Sequence, residues 1–600
     1  MATRVTTWPS IDGTVGDIIS GAALLAADDG AYKGIRLDKI GAVAWGQIVV
    51  TTFAGQKRYQ CVADGTADDR AQMLAALTEA AANMPCSVEF GAGNYGISGG
   101  IEIKPPQGAK GLRVVGHEYA TRVGFNGASP LTSGQFIAFK VIPSVLPSPA
   151  DTLSEYVQGI SFEGITFFDD DPALHGGTEE SHAISVQYAI GVNIEKCHAE
   201  DIGDEAFNYT FVRRGKIDGC NTVNVPSVGA GGGAITVQHG SSDIAISNCN
   251  MWGSSTPGVI STVAGGYGIN LEQTAGFAFD IEDIAITNCN ARDFGSAGIN
   301  FTAAVAGAEQ RNITITGGNL KNCDVGIKKN STNDLRDLTL IGITISDMDS
   351  YGIRFPGSAD ETFDLVISDN VIEGCAAGGM ELNLTSAQLS NNQFKSCPRG
   401  IYIFNGSGIN IASGSFDSCG GSVLEEIEDI TPGGGDAKVA NVTITNSNAT
   451  SASIKGVPDV TNVKIGARSS ATSPANCIFD AVRVRGCEID GGIRLRTTAA
   501  DCQIEGNKFG FDAGTGSTSS SRSALILEAG NDDAVITGNQ IDMRSSTNNQ
   551  RCVYIKSGAD RALLVGNNLK SLTAGSTNAV FIDAGATGTK FDTTIANVTT

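Results

Sequence analysis

The sequence predicts an all-β solenoid, a right-handed parallel β-helix with an N-terminal capping α-helix. Three observations carry this: a recurring phrase, the spacing of its cysteines, and a composition suited to stacked turns. From about residue 190 to residue 420 an alternating apolar strand runs into a polar pair ending in Cys or Asn. A few small residues follow, then Gly-Ile or Gly-Met opens another strand, as in IEKCHAEDIGDEAFNYT, ITNCNARDFGSAGINFT, IEGCAAGGMEL and FKSCPRGIYIF. A unit this short cannot bury its own apolar face, so the units must stack into a continuous core.

The spacing selects the solenoid. Cys197, Cys220, Cys249, Cys289, Cys323, Cys375, Cys397 and Cys419 mark successive coils, with a shortest step of 22 residues. That step suits three short strands per turn, and longer steps carry inserted loops, which in repeat folds gather on one face and build binding surfaces. Aromatics make up only 6% of the chain, Gly fills 76 of 600 positions, and Val, Ile, Thr, Asn and Ser dominate the repeats. Sustained helical periodicity is nearly missing.

The cysteines are expected to be reduced. They share one turn position that later coils fill with Asn507, Asn539 and Asn567. A residue exchangeable with Asn in a stack belongs to an internal ladder rather than a bridge. No pair has metal-ligand spacing, so neither a metal nor another cofactor is expected. The N-terminus lacks a charged leader followed by an apolar run, which predicts no signal peptide, synthesis in a reducing cytosol and release by lysis or a dedicated machine. No apolar stretch is long enough to span a bilayer, so membrane insertion is not expected. With 41 basic against 64 acidic residues, a net charge of -23, nucleic acid is a poor partner and a neutral or weakly acidic glycan a better one.

Three segments follow. Residues 1–58 read as a small docking or assembly module. Residues 59–430 hold a helix and the β-helix, with Asp68 as helix N-cap, an apolar stripe of Met73, Leu74, Leu77, Ala80 and Ala81, and a stop at Asn83-Met84-Pro85. Such a helix would shield the open edge of the first coil. Residues 431–600, after the Gly-rich break TPGGGDAK, read as further coils or a C-terminal β trimerisation domain, with further coils favoured.

The run Asp-Gly-Thr-Ala-Asp-Asp, an Ala-rich helix, a strand ending in Phe and a Gly-Asn-Tyr turn resembles the pectate-lyase-like superfamily, specifically its bacteriophage tailspike branch. That resemblance implies a homotrimer on the virion tail or baseplate, attached through its N-terminus. It also implies a β-helix that binds, and usually cleaves, a bacterial capsule or lipopolysaccharide O-antigen.

Hydrolysis of a glycan needs two carboxyls flanking the glycosidic oxygen, about 5 Å apart for retention or about 6.5–9.5 Å for inversion. Parallel coils lie about 4.8 Å apart, so acids on neighbouring coils meet either distance. The richest acidic stretch is 169–209. Aligning AISVQ with AFNYT brings Glu180 and His182 beside Asp204 and its neighbours, and crowded carboxylates push one another's pKa upward. GDEAFNY is also similar to the Gly-Asp-Asp strand start of polygalacturonase-type hydrolases, with Asp204 and Glu205 on the paired-acid positions. This chain departs from that pattern with His182 and Gly231-Gly232-Gly233 where the family has Asp and Gly-His-Gly. O-antigen tailspikes are resembled in having one Glu on a coil and two Asp three apart on the next, as Glu180 with Asp201 and Asp204.

The catalytic candidates are therefore Asp201, Asp204, Glu205 and Glu180. The substrate-binding candidates are His182, Trp252, Tyr209, Glu272 and His239, with Trp252 the first choice for a sugar subsite. The expected function is endo-hydrolysis of a surface polysaccharide. The alternatives are a lyase on the same fold using a base among Arg213, Arg214, His239 and Tyr209, a binding-only spike, or a site shared between subunits.

Overall fold

The computed structural model describes residues 44–592 except 126–134, 149, 151, 170–179, 226–231, 262–265, 274–276, 278, 304–307, 331–333, 357–361, 422–423, 432–435, 449–451, 467–475, 491–493, 498–500, 512–522, 544–550 and 572–578. The chain divides into two compact units, 1–324 and 325–600.

The first unit opens with a hairpin, Gln47–Thr52 against Gly55–Gln60, whose first strand also pairs antiparallel with Cys86–Phe90. Residues 47–58 thus belong to the first sheet, and the boundary expected at 58 does not exist in the pairing. Residues 1–43 of the expected docking module lie outside the described residues. The helix runs Arg70–Ala82 with Asp69, not Asp68, at its N-cap. The Asp69 carboxylate turns back to the Val62 and Ala63 amides at 2.7 and 2.9 Å, while Asp68 accepts from Arg70 N–H and Ser98. Met73, Ala76, Leu77, Ala80 and Ala81 are buried, whereas Leu74 lies half-buried at the edge of the stripe.

From there the pairing becomes parallel and the coil shows its three strands. Glu180–Glu195 pairs along its length with Glu205–Asp218, whose first half continues to Gly233–Gln238 and whose second half continues to Ser242–Ser247. The third strand of the coil, His198–Glu200, pairs with Asn221–Val223, and that with Asn250–Trp252. Like residues stack inward at each register position. Ile184, Phe207, Ile235, Ile269 and Ile299 form one such column, and Ile217, Ile246 and Ile286 form another. All are essentially inaccessible, and each buried side chain of this size contributes about 1.5–3 kcal/mol.

The second unit repeats the pattern. Ile353, Met380 and Ile401 stack in register, and parallel pairing continues past residue 430 to Lys590–Asp592.

All fourteen cysteines are free thiols. Their stacking corrects the single ladder expected from sequence. Cys197, Cys220, Cys249 and Cys289 sit just before the short third strand, and in the second unit so do Cys487, Asn507, Asn539 and Asn567. Cys323, Cys375, Cys397 and Cys419 sit just after that strand, at a different turn. In the Asn ladder, Asn507 and Asn539 each direct a side-chain amide to the next Asn Oδ1 at 2.9 Å. Burial pushes the Cys197 and Cys323 thiols up to about 12, as expected for packing groups rather than nucleophiles.

Candidate active site

The outward positions of the first strands of the coils are polar, and most are nevertheless buried. Read in register, Ser185, Asn208, Thr236, Asn270 and Asn300 form one column, with Gln187, Thr210, Gln238, Glu272 and Thr302 beside it. They alternate with the inward Ile and Phe of the same strands, as a two-residue period requires. Buried polar groups must find partners, and here they find one another. Asn300 Nδ2 donates to Asn270 Oδ1 at 2.9 Å, Asn270 Nδ2 to Glu272 Oε2 at 3.3 Å, and Thr210 Oγ1 to Asn208 Oδ1 at 2.9 Å.

At one end of this ledge the turn 201–205 brings acids onto it. The Gly203 amide donates to Ser181 Oγ at 2.6 Å and the Asp204 amide to Ser181 O at 3.2 Å, so the turn is pinned to the preceding coil. His182 then lies opposite Glu205 in register. Its Nδ1 is 3.0 Å from Glu205 Oε2 and its Nε2 3.9 Å from Asp204 Oδ2. His182, Asp204 and Glu205 are 5, 5 and 3% exposed, so the three groups interact where water screens little. Glu205 also accepts from Asn208 Nδ2 at 2.5 Å. Gln238 Nε2 faces both Glu205 Oε1 at 3.5 Å and Glu272 Oε2 at 3.1 Å, so one amide nitrogen holds two carboxylates of different coils.

Several expectations need correcting. Tyr209 points inward and is fully buried, its hydroxyl donating to Lys216 O at 2.8 Å, so it cannot contact a substrate. Asp201 turns away from the ledge in a left-handed conformation, φ 57°, and accepts from Asn224 Nδ2 at 2.6 Å. Trp252 lies on the third strand of its coil, not the first, and Arg292 covers its ring at 4.0 Å. Arg213 occupies the second-strand column with Ser242 and Glu282, and Arg214 is exposed within the same strand. Glu180 starts its strand opposite Gln135, and its side chain lies outside the described residues, as do Asp170 and Asp171.

His239 follows Gln238 at the strand end, buried, and burial drops its pKa to about 4 although Glu205 pulls the other way. Asn208, Gln238, Asn270 and Asn300 were missed from sequence. Their signal was there: Asn208, Asn270 and Asn300 are the third residues of AFNYT, GINLE and GINFT, and Gln238 is the fifth of AITVQ, in line with Glu272.

One atom each from His182, Asp204 and Glu205 lie within 4.8 Å of one another, a donor set of imidazole and carboxylate that suits a divalent cation. No metal was expected, so this triad is the place where that expectation is open to test.

Comparison with a family model agrees on the architecture. A family model described as the right-handed β-helix region matches residues 240–416 and 329–524. The fold of the chain is thus a right-handed parallel β-helix. No curated protein matches it. Among solved structures it is similar to a tailspike double mutant of E. coli bacteriophage HK620 in complex with pentasaccharide. Identity there is 12%, coverage 75% of each chain and TM-score 0.46. It is similar also to tailspike protein 3 of bacteriophage CBA120, with 11% identity, 92% of this chain and 69% of that chain covered, and TM-score 0.35. Among the described residues no helix is long and apolar enough to cross a membrane.

Proposed function

We propose that this β-helix protein is a homotrimeric phage tailspike that binds a bacterial capsule or O-antigen along the polar ledge and hydrolyses it internally. The tailspike assignment rests on the sequence resemblance. The hydrolytic reading rests on the clustering of Asp204, Glu205 and Glu272 around two side chains, His182 and Gln238.

In this reading Glu205, which accepts the Asn208 amide and faces His182 and Gln238, is the ionised carboxylate. Asp204 is the acid that protonates the leaving oxygen. Their oxygens within 4.8 Å of one another favour the shorter, retaining separation. Gln238, Glu272 and Thr302 then line the path of the chain over the next coils, where sugar hydroxyls exchange hydrogen bonds with amide, carboxylate and hydroxyl groups. Many weak contacts along an extended polymer add up, which suits internal rather than terminal cleavage.

The test is the mass of fragments released from the surface polysaccharide of the host. Fragments carrying one added water support the reading. Fragments lighter by water with ultraviolet absorbance would replace it with elimination, and intact polymer would leave a binding spike.

A further inference from the structure

Beside the carboxylates stands a stack of aromatic rings that the hydrolytic reading does not use. It is built at the turn that follows the first strand of each coil. Tyr188 and Phe211 occupy that turn in left-handed conformations, φ 53° and 54°, on successive coils, and their rings stack at 4.8 Å with an interplanar angle of 7°. On the next coil the turn is His239-Gly240. A Cβ on Gly240 would meet the Phe211 ring at 2.9 Å, so glycine there lets the stack close.

The stack ends in one open ring. Phe279 packs edge-on against Phe211 at 5.1 Å, and Phe277 lies 5.9 Å from Phe211 and 4.8 Å from His239. The Phe279 backbone is held by Gln273, whose side-chain amide donates to Phe279 O at 3.0 Å and Glu309 O at 2.9 Å. Phe211 is buried, but Phe277 is 40% exposed. A phenyl ring held this way against a rigid support, with one side in water, is a poor choice for stability alone and a good one for an apolar contact. Its neighbour His239 follows directly on Gln238, whose side chain holds Glu205 and Glu272.

We propose that Phe277, backed by His239 and Phe211, is the stacking platform of a sugar subsite and that the sugar it takes is a neutral pyranose. This deepens the glycan reading and rests on it. The C–H face of a pyranose lies on an aromatic ring by apolar contact, while its hydroxyls reach the amides and carboxylates of the ledge. The charge of the sugar follows from those neighbours. Asp204, Glu205 and Glu272 make the ledge acidic, and the chain as a whole carries -23, so a uronate or sialate brought to Phe277 meets like charge at close range.

The test needs neither the natural polymer nor turnover. Saturation-transfer NMR is run on the full chain with galactose, N-acetylglucosamine and rhamnose as neutral probes and glucuronate as the charged one. We expect transfer to the ring protons of at least one neutral sugar and none to glucuronate. The signal should be lost in Phe277→Ala and kept in Phe277→Trp. The unchanged β-sheet circular dichroism of each variant checks folding. No transfer to any neutral sugar, equal transfer to glucuronate, or a signal that persists in Phe277→Ala overturns the inference. Binding that survives while polymer stays uncut would sink the hydrolytic reading and leave the platform standing.

Discussion

His182 Nδ1 and Glu205 Oε2 face each other at 3.0 Å across two coils whose strands pair residue for residue at that point. The contact is therefore set by coil register rather than by loop conformation, and any group placed on it inherits the rigidity of the stack.

That rigidity gives the first prediction. Glu205→Gln and Asp204→Asn each keep the shape of the turn but remove a carboxylate, so polymer cleavage should drop by about 10²–10⁴-fold, the range for losing a positioned acid or base. Asp201→Asn should change the rate by less than about fivefold, since a residue bound to Asn224 lies off the ledge. Equal losses in all three variants, read from reducing ends released per minute, would show that the site extends to Asp201 after all.

Tyr209 separates stability from chemistry. Tyr209→Phe removes a buried hydroxyl whose acceptor, Lys216 O, then lacks that donor, at a cost of about 1–2 kcal/mol. Urea unfolding should show that loss, while the proposed polymer cleavage by the folded protein stays unchanged.

His239 predicts acid sensitivity. Its folded pKa of about 4 lies below the unfolded value near 6.5, so the unfolded chain binds more protons between those limits. Stability from this group is intact above pH about 6.5 and falls by about 1.4 kcal/mol per pH unit as pH drops toward 4. His239→Gln should flatten that part of the stability profile. An unchanged slope in thermal melts across the window would contradict the assignment.

The two ladder chemistries should respond differently to truncation. Asn539→Ala strands the backbone and side-chain N–H groups of Asn507, both of which donate to Asn539 Oδ1 at 2.9 Å, and should cost about 2–4 kcal/mol. Cys249→Ala removes one small packing group and should cost about 1 kcal/mol. Midpoints of chemical unfolding for the two variants decide the matter.

The coil and its register were legible because they are written as repetition. Aligning AISVQ with AFNYT gives the pairing found, Ile184 with Phe207. Tyr209 was misread although the same alternation that puts Phe207 inward puts Tyr209 inward too. Weight on its chemistry displaced the period. The cysteines were merged into one column because only their mutual distances were compared. Whether Cys precedes the short third strand, as at Cys289 before Asn290–Arg292, or follows it, as at Cys323 after Asn319–Lys321, distinguishes the two turns. Glu272 was found by its loop, but its tie to Glu205 through Gln238 joins residues more than thirty positions apart, and single strands do not announce such contacts.

The Asn ladder has a further consequence for how this polypeptide tolerates change. Its links join residues 32 and then 28 positions apart, so the intervening segments differ in length while the turn chemistry stays the same. Winding phase is fixed at the amide, once per revolution, and a miscounted turn would put the wrong side chain where the amide belongs. Only the loops between the paired strands are free to lengthen, shorten or be exchanged, which lets the outer surface diversify without renegotiating the spindle on which it is wound.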